Sequence, residues 1–308
     1  MSLSVRFLGT SESRPTVERN VTSIAVIREG ETLLFDCGEG TQRQMMRYGI
    51  SFAVADIFFT HMHADHMLGI IGLFRTLSLQ GRTEPMRLWG PRGSAALLRQ
   101  AIALGTDKQP FPLEINEVTA DTPIARKGYA IIPYDADHKD KIALGYAVVE
   151  EIRLGRFNPD KAREIGIPEG PAWGRIHKGE SVTLDDGRVI QPSELVGPSR
   201  AGRRIVFTGD SRPSEATIAI AKGADALIHE ATFADEEQPR ALETGHATAR
   251  EAAEVAAKAE VKRLVLTHLS ARYSVNTSDL VQQAREVFPE TVVARDGYEL
   301  DVPFDVEE

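Results

Sequence analysis

The residues of this sequence whose spacing could do chemistry are its histidines, and the densest cluster is HMHADH at residues 61–66. On an extended chain, residues two apart face the same side, so His61 and His63 can hold one metal ion together. Asp65 and His66 open a predicted helix that begins at Met67, and they point toward a second ion. Histidine and carboxylate ligands without cysteine favour Zn²⁺, with Mn²⁺ as the alternative.

Three more candidate ligands follow apolar runs later in the chain. They are His138 in YDADH, Asp210 in FTGD and His268 in VLTH. Short apolar runs closed by a polar residue are typical of buried strands, and ligand sites in α/β proteins collect at strand ends. A single histidine on an apolar face is more often an ordinary core residue. So many donors at strand ends instead predict a centre with two adjacent metal ions.

The elements that position these donors alternate between predicted strands and predicted helices. Apolar runs predict strands at 32–38, 56–61, 129–138, 204–210, 225–230 and 263–268. The spacing of apolar residues predicts a helix from Met67 to Leu77, and an alanine-rich run predicts another from Ala247 to Glu260. This alternation predicts a layered α/β fold.

Residues 151–180 break the alternation, because they contain three prolines, five glycines and no long apolar run. We predict an insertion that projects from the body, with an ordinary surface loop as the alternative. Functional loops are over-represented among structureless loops of this length. From Glu150 to Glu180, six acidic side chains balance six basic ones. Stacking by Phe157 or Trp173 is therefore a better prediction for RNA binding than charge alone.

Composition limits the class of protein further. The 308 residues carry a formal net charge of −9, whereas general nucleic-acid binders are usually basic, so any RNA-binding surface must be local. No run approaches about 18 apolar residues, so no membrane contact is expected. The start MSLSVRFLGT lacks the pattern of a signal peptide. A single cysteine, Cys37, excludes an intrachain disulfide and favours the cytoplasm.

Longer motifs carry a resemblance to a known family. HMHADH resembles the first signature of the metallo-β-lactamase superfamily. Narrower matches are PTVERN (15–20), FDCGEGTQRQ (35–44), EGPAWG (169–174), HEATF (229–233), GHAT (245–248) and LTHLSARY (266–273). With these motifs the chain is similar from end to end to the ribonuclease Z family, the short form of the tRNA 3′-processing endoribonucleases. Val17 departs from the family's usual lysine.

The resemblance implies a fold and a set of site residues. The fold is one metallo-β-lactamase domain over residues 1–308, an αβ/βα four-layer sandwich with a flexible tRNA-binding arm at 151–180. One metal ion is held by His61, His63 and His138, the other by Asp65, His66 and His268, and Asp210 bridges them. The implied substrate-binding residues are Arg19, Asn20, Gly170, Pro171 and Arg272. A homodimer is also implied.

The same resemblance implies the chemistry. Two ions about 3.5–4 Å apart can clamp a phosphodiester and activate water at neutral pH. Asp65 is the predicted base, and His246, oriented by Glu230, is the predicted acid that protonates the leaving ribose oxygen. Precursor tRNA is the expected substrate. Two alternatives stay open: a hydrolase of the same fold with a small substrate, such as an arylsulfatase, cyclic-nucleotide diesterase or lactonase, and a metal- or RNA-binding protein without catalysis.

Overall fold

Two seven-stranded sheets pack face to face in the computed structural model, which describes residues 2–105, 111–139, 141–184 and 186–304. The predicted domain limits at Met1 and Glu308 lie outside the described residues. Within the described ranges, no helix combines the length and apolar character that a membrane span requires.

The first sheet combines antiparallel and parallel pairing. Its strands are β1 (Leu3–Gly9), β2 (Ser23–Arg28), β3 (Glu31–Phe35), β4 (Val54–Phe58), β5 (Met86–Pro91), β6 (Leu113–Val118) and β16 (Glu299–Asp301). Their order is β16-β1-β2-β3-β4-β5-β6. The run from β3 to β6 is parallel, so these strands end at the same edge of the sheet.

The second sheet repeats this mixture. Its strands are β7 (Ile124–Arg126), β8 (Tyr129–Asp135), β9 (Leu144–Glu150), β12 (Arg204–Phe207), β13 (Ala226–Glu230), β14 (Leu264–Thr267) and β15 (Thr291–Val293). Their order is β15-β14-β13-β12-β9-β8-β7, and β12 to β15 are parallel.

Helices cover the outer face of each sheet. Those of the body are α1 (Thr41–Tyr48), α2 (Ala64–Met67), α3 (Gly69–Leu79), α4 (Ser94–Gly105), α8 (Glu215–Ala221), α9 (Gln238–Thr244), α10 (Ala249–Lys258) and α11 (Ser278–Arg285). One apolar cluster lies between the sheets, and two more lie between a sheet and its helices. The predicted αβ/βα four-layer sandwich is therefore confirmed.

The predicted elements are present, but their ends differ. The predicted strands 56–61, 129–138 and 204–210 each end three residues early, at Phe58, Asp135 and Phe207, whereas 263–268 ends one residue early, at Thr267. The predicted helix start at Met67 is wrong. A single turn, α2, already begins at Ala64, and Leu68 separates it from α3. Asp65 and His66 thus lie within a helix rather than ahead of one.

Residues 151–200, which we call the arm, form a small unit with its own core. The arm contains α5 (Pro159–Glu164), α6 (Pro171–His177), β10 (Val182–Thr183), β11 (Val189–Ile190) and α7 (Pro192–Leu195). Six buried side chains form its core: Ala162, Ile167, Ile176, Val182, Ile190 and Leu195. The predicted limit at residue 180 falls inside this unit. Phe157 and Trp173 pack against the arm's own core, so their rings support the arm's structure.

The arm joins the body where two backbone segments meet. Arg153 and Arg200 exchange two backbone hydrogen bonds of 2.8 and 2.9 Å. Next to this root, the carboxylate of Glu150 accepts hydrogen bonds from Arg28 (2.8 Å) and Arg203 (2.7 and 2.9 Å). Arg28 ends β2 in the first sheet and Glu150 ends β9 in the second, so this buried cluster joins the two sheets.

Replacing Glu150 should destabilise the protein strongly. Glu150→Gln removes the buried negative charge that faces the guanidinium groups of Arg28 and Arg203, and breaking a buried ion pair costs about 3–5 kcal/mol. Urea unfolding followed by circular dichroism measures the change. Asp160→Asn is the control, because Asp160 pairs with Arg163 on the surface of the arm and should cost at most about 1 kcal/mol. Equal losses in both variants would contradict a joining role for Glu150.

Candidate metal centre

The carboxylate of Asp210 lies at the middle of the candidate site. Its Oδ1 is 3.2 Å from Nε2 of both His66 and His268. Its Oδ2 is 3.6 Å from Nε2 of His61 and 4.0 Å from Nε2 of His138. One oxygen thus faces each pair of histidines, which is the arrangement of a carboxylate that bridges two ions.

Among the described residues, three groups of donors are close enough to hold a metal ion, and two of these groups share no residue. His61, His63, His138 and Asp210 form the first group, and Asp65, His66 and His268 form the second; within each, the donor atoms lie within 4.8 Å of one another. Ligands about 2.0–2.2 Å from one ion in a tetrahedral shell are about 3.3–3.6 Å apart. The nitrogen–oxygen distances around Asp210 fall near this range, so the residues present fit a dinuclear centre.

The histidine rings are oriented by hydrogen bonds on the side away from Asp210. Four of them place Nδ1 against an oxygen: His61 against Thr60 Oγ1 (3.0 Å), His66 against Asp36 Oδ2 (2.8 Å), His138 against the Gly245 carbonyl (3.0 Å) and His268 against Thr232 Oγ1 (3.0 Å). A proton held at Nδ1 leaves the Nε2 lone pair free for a metal. Nε2 of His61 and of His138 is buried without a hydrogen bond to any described residue, as a missing cation would produce.

Charge in the site is unbalanced without cations. Burial lowers the pKa of His61 well below its ordinary value. Burial also opposes protonation of His66 and His268, but the negative charge of Asp210 outweighs it, so the pKa of each is raised. Protons on these rings take the place that divalent cations would occupy.

Asp65 differs from the other ligands in its partners. Its Oδ2 lies 3.5 Å from Nε2 of both His66 and His268 and accepts a 2.7 Å hydrogen bond from the backbone N–H of Ser13. Burial would raise its pKa, but the charge of His66 and a hydrogen bond from His268 lower it below the ordinary value. The carboxylate is therefore ionised and able to accept hydrogen bonds or bind a cation.

His246 belongs to neither of these two groups, but it forms the third group with Asp210 and His268. Its Nδ1 lies 2.8 Å from Glu230 Oε1, and its ring stacks at 5.4 Å on His268. A donor atom of His246 lies within 4.8 Å of donor atoms of Asp210 and His268. Burial opposes protonation, but the charge of Glu230 raises the pKa of His246 to about 9. At neutral pH the ring can donate a proton into the site.

Two family models match parts of the chain, and curated relatives with one family name match nearly all of it. Residues 173–269 match the model of the Beta-lactamase superfamily domain, and residues 3–117 match that of the Anti-Pycsar protein Apyc1. Ribonuclease Z of Gemmatimonas aurantiaca is 65% identical over 303 residues, which cover 98% of this chain and 96% of the relative. Ribonuclease Z of Myxococcus xanthus is 52% identical over 98% of each chain. The chain belongs to the ribonuclease Z family.

A solved structure shares the whole architecture. Human tRNase Z, short form, superposes with a TM-score of 0.71 at 26% identity, over 98% of this chain and 100% of the human one. Family membership and the predicted fold are thus confirmed, and the residue roles within the site stay predictions.

The substrate-binding residues implied by the ribonuclease Z resemblance lie in different surroundings. Arg19 is only 6% exposed, and its guanidinium donates to Thr10 Oγ1 and the Ala294 carbonyl, each at 2.7 Å. Asn20 donates from its amide to the Glu39 carbonyl. Arg272 is half-exposed and pairs with Glu237, whereas Gly170 and Pro171 lie in the arm at the start of α6. The first two residues hold the loop 15–20 in place, and their contact with RNA stays a prediction.

Asp36 is a residue of the site that sequence reasoning missed. Its Oδ2 accepts from His66 Nδ1, and its two oxygens also accept from the backbone and hydroxyl of Thr60. It has a left-handed backbone, with φ of 58°. Its signal was present, because Asp36 follows an apolar run as the predicted ligands do. The neighbouring Cys37 is buried in the core.

Arg212, two residues after Asp210, was also missed. Its guanidinium binds both oxygens of Glu251, at 2.5 and 2.7 Å, and donates to the His246 carbonyl at 2.5 Å. Glu251 in turn closes the capping box with Thr248 at the start of α10. Arg212 thus connects the loop of Asp210 to the loop of His246. His229, by contrast, is buried in β13 and belongs to neither metal group among the described residues.

Removing the charge of Asp36 should weaken metal binding. Asp36→Asn keeps the shape but loses the charge that orients and polarises His66, which should lower metal affinity about 10–100-fold. Competition with a chromophoric chelator measures this affinity. Asp56→Asn is the control, since Asp56 is equally buried but binds Arg87, Arg126 and Trp89. That control should lose stability and keep its metal affinity. An Asp36→Asn protein with parental affinity would refute the role.

Proposed function

We propose that the chain is a metal-dependent endoribonuclease that removes the 3′ trailer from precursor tRNA. The observation that supports this most directly is the placement of His246. It is held by Glu230 in the same cluster as Asp210 and His268, and a protonated imidazole there suits a leaving group that needs a proton. Membership of the ribonuclease Z family supplies the substrate class.

Two divalent ions, most consistent with Zn²⁺ and with Mn²⁺ as the alternative, complete the site in this proposal. His61, His63 and His138 would hold one, Asp65, His66 and His268 would hold the other, and Asp210 would contribute to both. When bound, such a pair supplies positive charge that polarises a phosphodiester and lowers the pKa of water. Nitrogen and oxygen donors without a thiolate agree with this choice of metals.

The protein's own groups move the protons. Asp65, ionised and fixed by the Ser13 N–H, orients the attacking water and accepts its proton. His246 donates a proton to the departing ribose 3′-oxygen. Glu230 keeps His246 charged and aimed, because its other oxygen is held by Thr232 and the Ala247 N–H. The products are a tRNA with a free 3′-hydroxyl and a trailer with a 5′-phosphate.

The arm provides the remote grip on tRNA in this proposal. It has its own apolar core and joins the body at one pair of backbone segments, so it can carry Gly170 and Pro171 away from the sheets. Arg272 and the loop with Arg19 and Asn20 lie nearer the metals and are proposed to contact the 3′ end. We also propose, from the family resemblance, that the protein is a homodimer and acts in the cytoplasm.

Replacing His246 should slow the cleavage of two kinds of substrate to different extents. His246→Ala should slow cleavage of precursor tRNA by about 10²–10⁴, because the ribose oxygen leaves poorly without a proton. Hydrolysis of bis(p-nitrophenyl) phosphate should fall much less, since nitrophenolate departs unprotonated. Rates on both substrates, at equal metal content, measure the difference.

Glu230→Gln serves as the matched variant for this experiment. Glutamine keeps the shape of the side chain but lacks the negative charge that favours the protonated form of His246. The variant should therefore also lose more activity on precursor tRNA than on bis(p-nitrophenyl) phosphate, but the difference should be smaller than for His246→Ala. Equal losses on both substrates for His246→Ala would indicate a structural role and contradict the proposed acid. A parental enzyme that cleaves only the nitrophenyl substrate would point to a small-substrate hydrolase instead.

Removing the arm should preserve phosphodiester hydrolysis and weaken the binding of precursor tRNA. Because Arg153 and Arg200 already pair, residues 154–199 can be replaced by a short glycine linker without stretching β9 or β12, and shortening a loop costs little entropy. Efficiency on precursor tRNA should fall by orders of magnitude, mostly through KM, while hydrolysis of bis(p-nitrophenyl) phosphate stays near the parental rate. Steady-state kinetics on both substrates measure this.

The control for the deletion is a variant that disturbs the arm's core but keeps its length. Ile176→Ala removes a fully buried side chain from that core. It should raise KM for precursor tRNA less than the deletion does. Normal processing of precursor tRNA by the deletion variant would show that the arm is an ordinary insertion.

A further inference from the structure

A cavity of about 310 Å³ lies at the root of the arm, on the edge of the sandwich opposite the metal ligands. Its wall comes from the end of β9, the segment where the arm returns, the start of β12 and the loops after α8 and α10. Five cationic side chains and two carboxylates line it. This local excess of positive charge contrasts with the net charge of −9 for the chain.

Both carboxylates in the wall are already engaged. Glu150 binds Arg28 and Arg203. Asp225 accepts from Lys262 Nζ and from the Arg204 backbone N–H, each at 2.7 Å. Neither carboxylate is therefore free to neutralise the remaining cations.

Three cations of the wall have no carboxylate partner among the described residues. Arg153 donates only to the Ala201 carbonyl, at 3.3 Å. Arg204 donates to the carbonyls of Ile220 and Lys222, and Lys222 itself, exposed at the end of α8, forms no ion pair there. Three converging cations without counter-ions form a site that attracts an anion.

One aromatic ring fixes the shape of this wall. Phe304 lies against the guanidinium groups of Arg153 and Arg203, which are 3.5 and 3.9 Å from the ring centroid. Arg203 is buried and bound to Glu150, so the Phe304 ring has a rigid neighbour on that side. Arg153 is thereby held at the cavity rather than swinging into solvent, which lowers the entropy cost of binding a ligand there.

The cavity cannot share a small ligand with the metal centre. Arg204 begins β12, whereas Asp210 lies three residues past its other end, and the four residues of β12 alone span about 10 Å. An anion held at the cavity is therefore remote from the reacting phosphate.

We propose that this cavity is a second anion site that binds a phosphate group through Arg153, Arg204 and Lys222. The phosphate comes either from a free phosphorylated compound or from the backbone of a bound RNA. The RNA source rests on the proposed function, whereas the site itself does not.

The test uses holoenzyme and inorganic phosphate as the probe. Equilibrium dialysis with labelled phosphate counts all binding, and inhibition of bis(p-nitrophenyl) phosphate hydrolysis reports phosphate at the metal centre alone. In the parental enzyme, dialysis should detect more bound phosphate than inhibition does, or binding with a different dissociation constant from the inhibition constant. Because Asp305, Glu307 and Glu308 follow Phe304 and lie outside the described residues, the full chain is used, so any effect of their carboxylates is included.

Two variants locate the additional binding. Lys222→Gln should weaken it about tenfold, as expected for one lost hydrogen bond to a charged group, and Arg153→Gln/Lys222→Gln should abolish it. Arg99→Gln, an exposed arginine on α4, is the control and should change nothing. Inhibition of the nitrophenyl reaction should be the same in all of them.

Precursor tRNA distinguishes the two sources of phosphate. If RNA supplies the phosphate, Lys222→Gln raises KM for precursor tRNA and leaves kcat unchanged. The slope of log affinity against log salt concentration then decreases by the amount expected for about one phosphate contact. If KM is unchanged while phosphate binding is lost, the ligand is a free phosphorylated compound. The proposal is overturned if inhibition accounts for all phosphate binding, or if the variants bind as much phosphate as Arg99→Gln does.

Discussion

The site depends on one buried carboxylate, that of Asp210, placed between two pairs of histidines. A carboxylate that is only 2% exposed is costly unless positive charge lies beside it. Its two oxygens face different histidine pairs at 3.2–4.0 Å, so it can satisfy two cations at once. The negative charge of Asp210 raises the pKa of His66 and of His268 despite their burial.

Those loops come from both sheets, and they adopt strained backbone conformations where they meet. Asp36 and His268 have φ of 58° and 56°, which non-glycine residues rarely adopt. Gly209 has φ of 60°, and a Cβ there would lie 2.7 Å from the Cβ of Thr60. Such conformations cost about 1–3 kcal/mol each and persist where surrounding contacts fix them. Here the hydrogen bonds of Thr60, Thr232 and Asp36 fix both the strained backbones and the imidazole rings.

The sequence predicts the ligands of this centre better than their supports. A metal ligand must be one of a few residue types near a strand end, so the pattern of His61, His63 and Asp210 is visible in one dimension. The partners of these ligands are ordinary residues whose role exists only in the folded chain. Arg212 contacts His246 across 34 positions, and Thr232 contacts His268 across 36. No local spacing indicates such pairs.

The limits of the arm were hard to predict for a related reason. Prolines and glycines in residues 151–180 suggest a loop, but six scattered apolar side chains are enough to form a small core, and the last of them lie beyond residue 180. Gly297 shows the same limit of sequence reasoning. Its φ of 83° and the ring of Tyr48, 2.3 Å from where a Cβ would lie, explain why glycine suits this position. Neither fact can be inferred without the packing of two distant segments.

The direction of the strands places the metal ligands and the arm at opposite edges of the sandwich. Parallel strands β12 to β14 deliver Asp210, Glu230 and His268 to one edge, and the antiparallel strands β2 and β9 deliver Arg28 and Glu150 to the other. The arm is rooted at that second edge and the metal ligands lie at the first, beyond the far end of β12. A small phosphodiester can reach only one edge, whereas a folded RNA can reach both. In the proposed function, the Glu150 cluster joins the sheets, so that an RNA bound at the arm would place its scissile bond at the metal site without a flexible connection. Discrimination between a large and a small substrate then follows from the distance between the two edges rather than from the reacting groups.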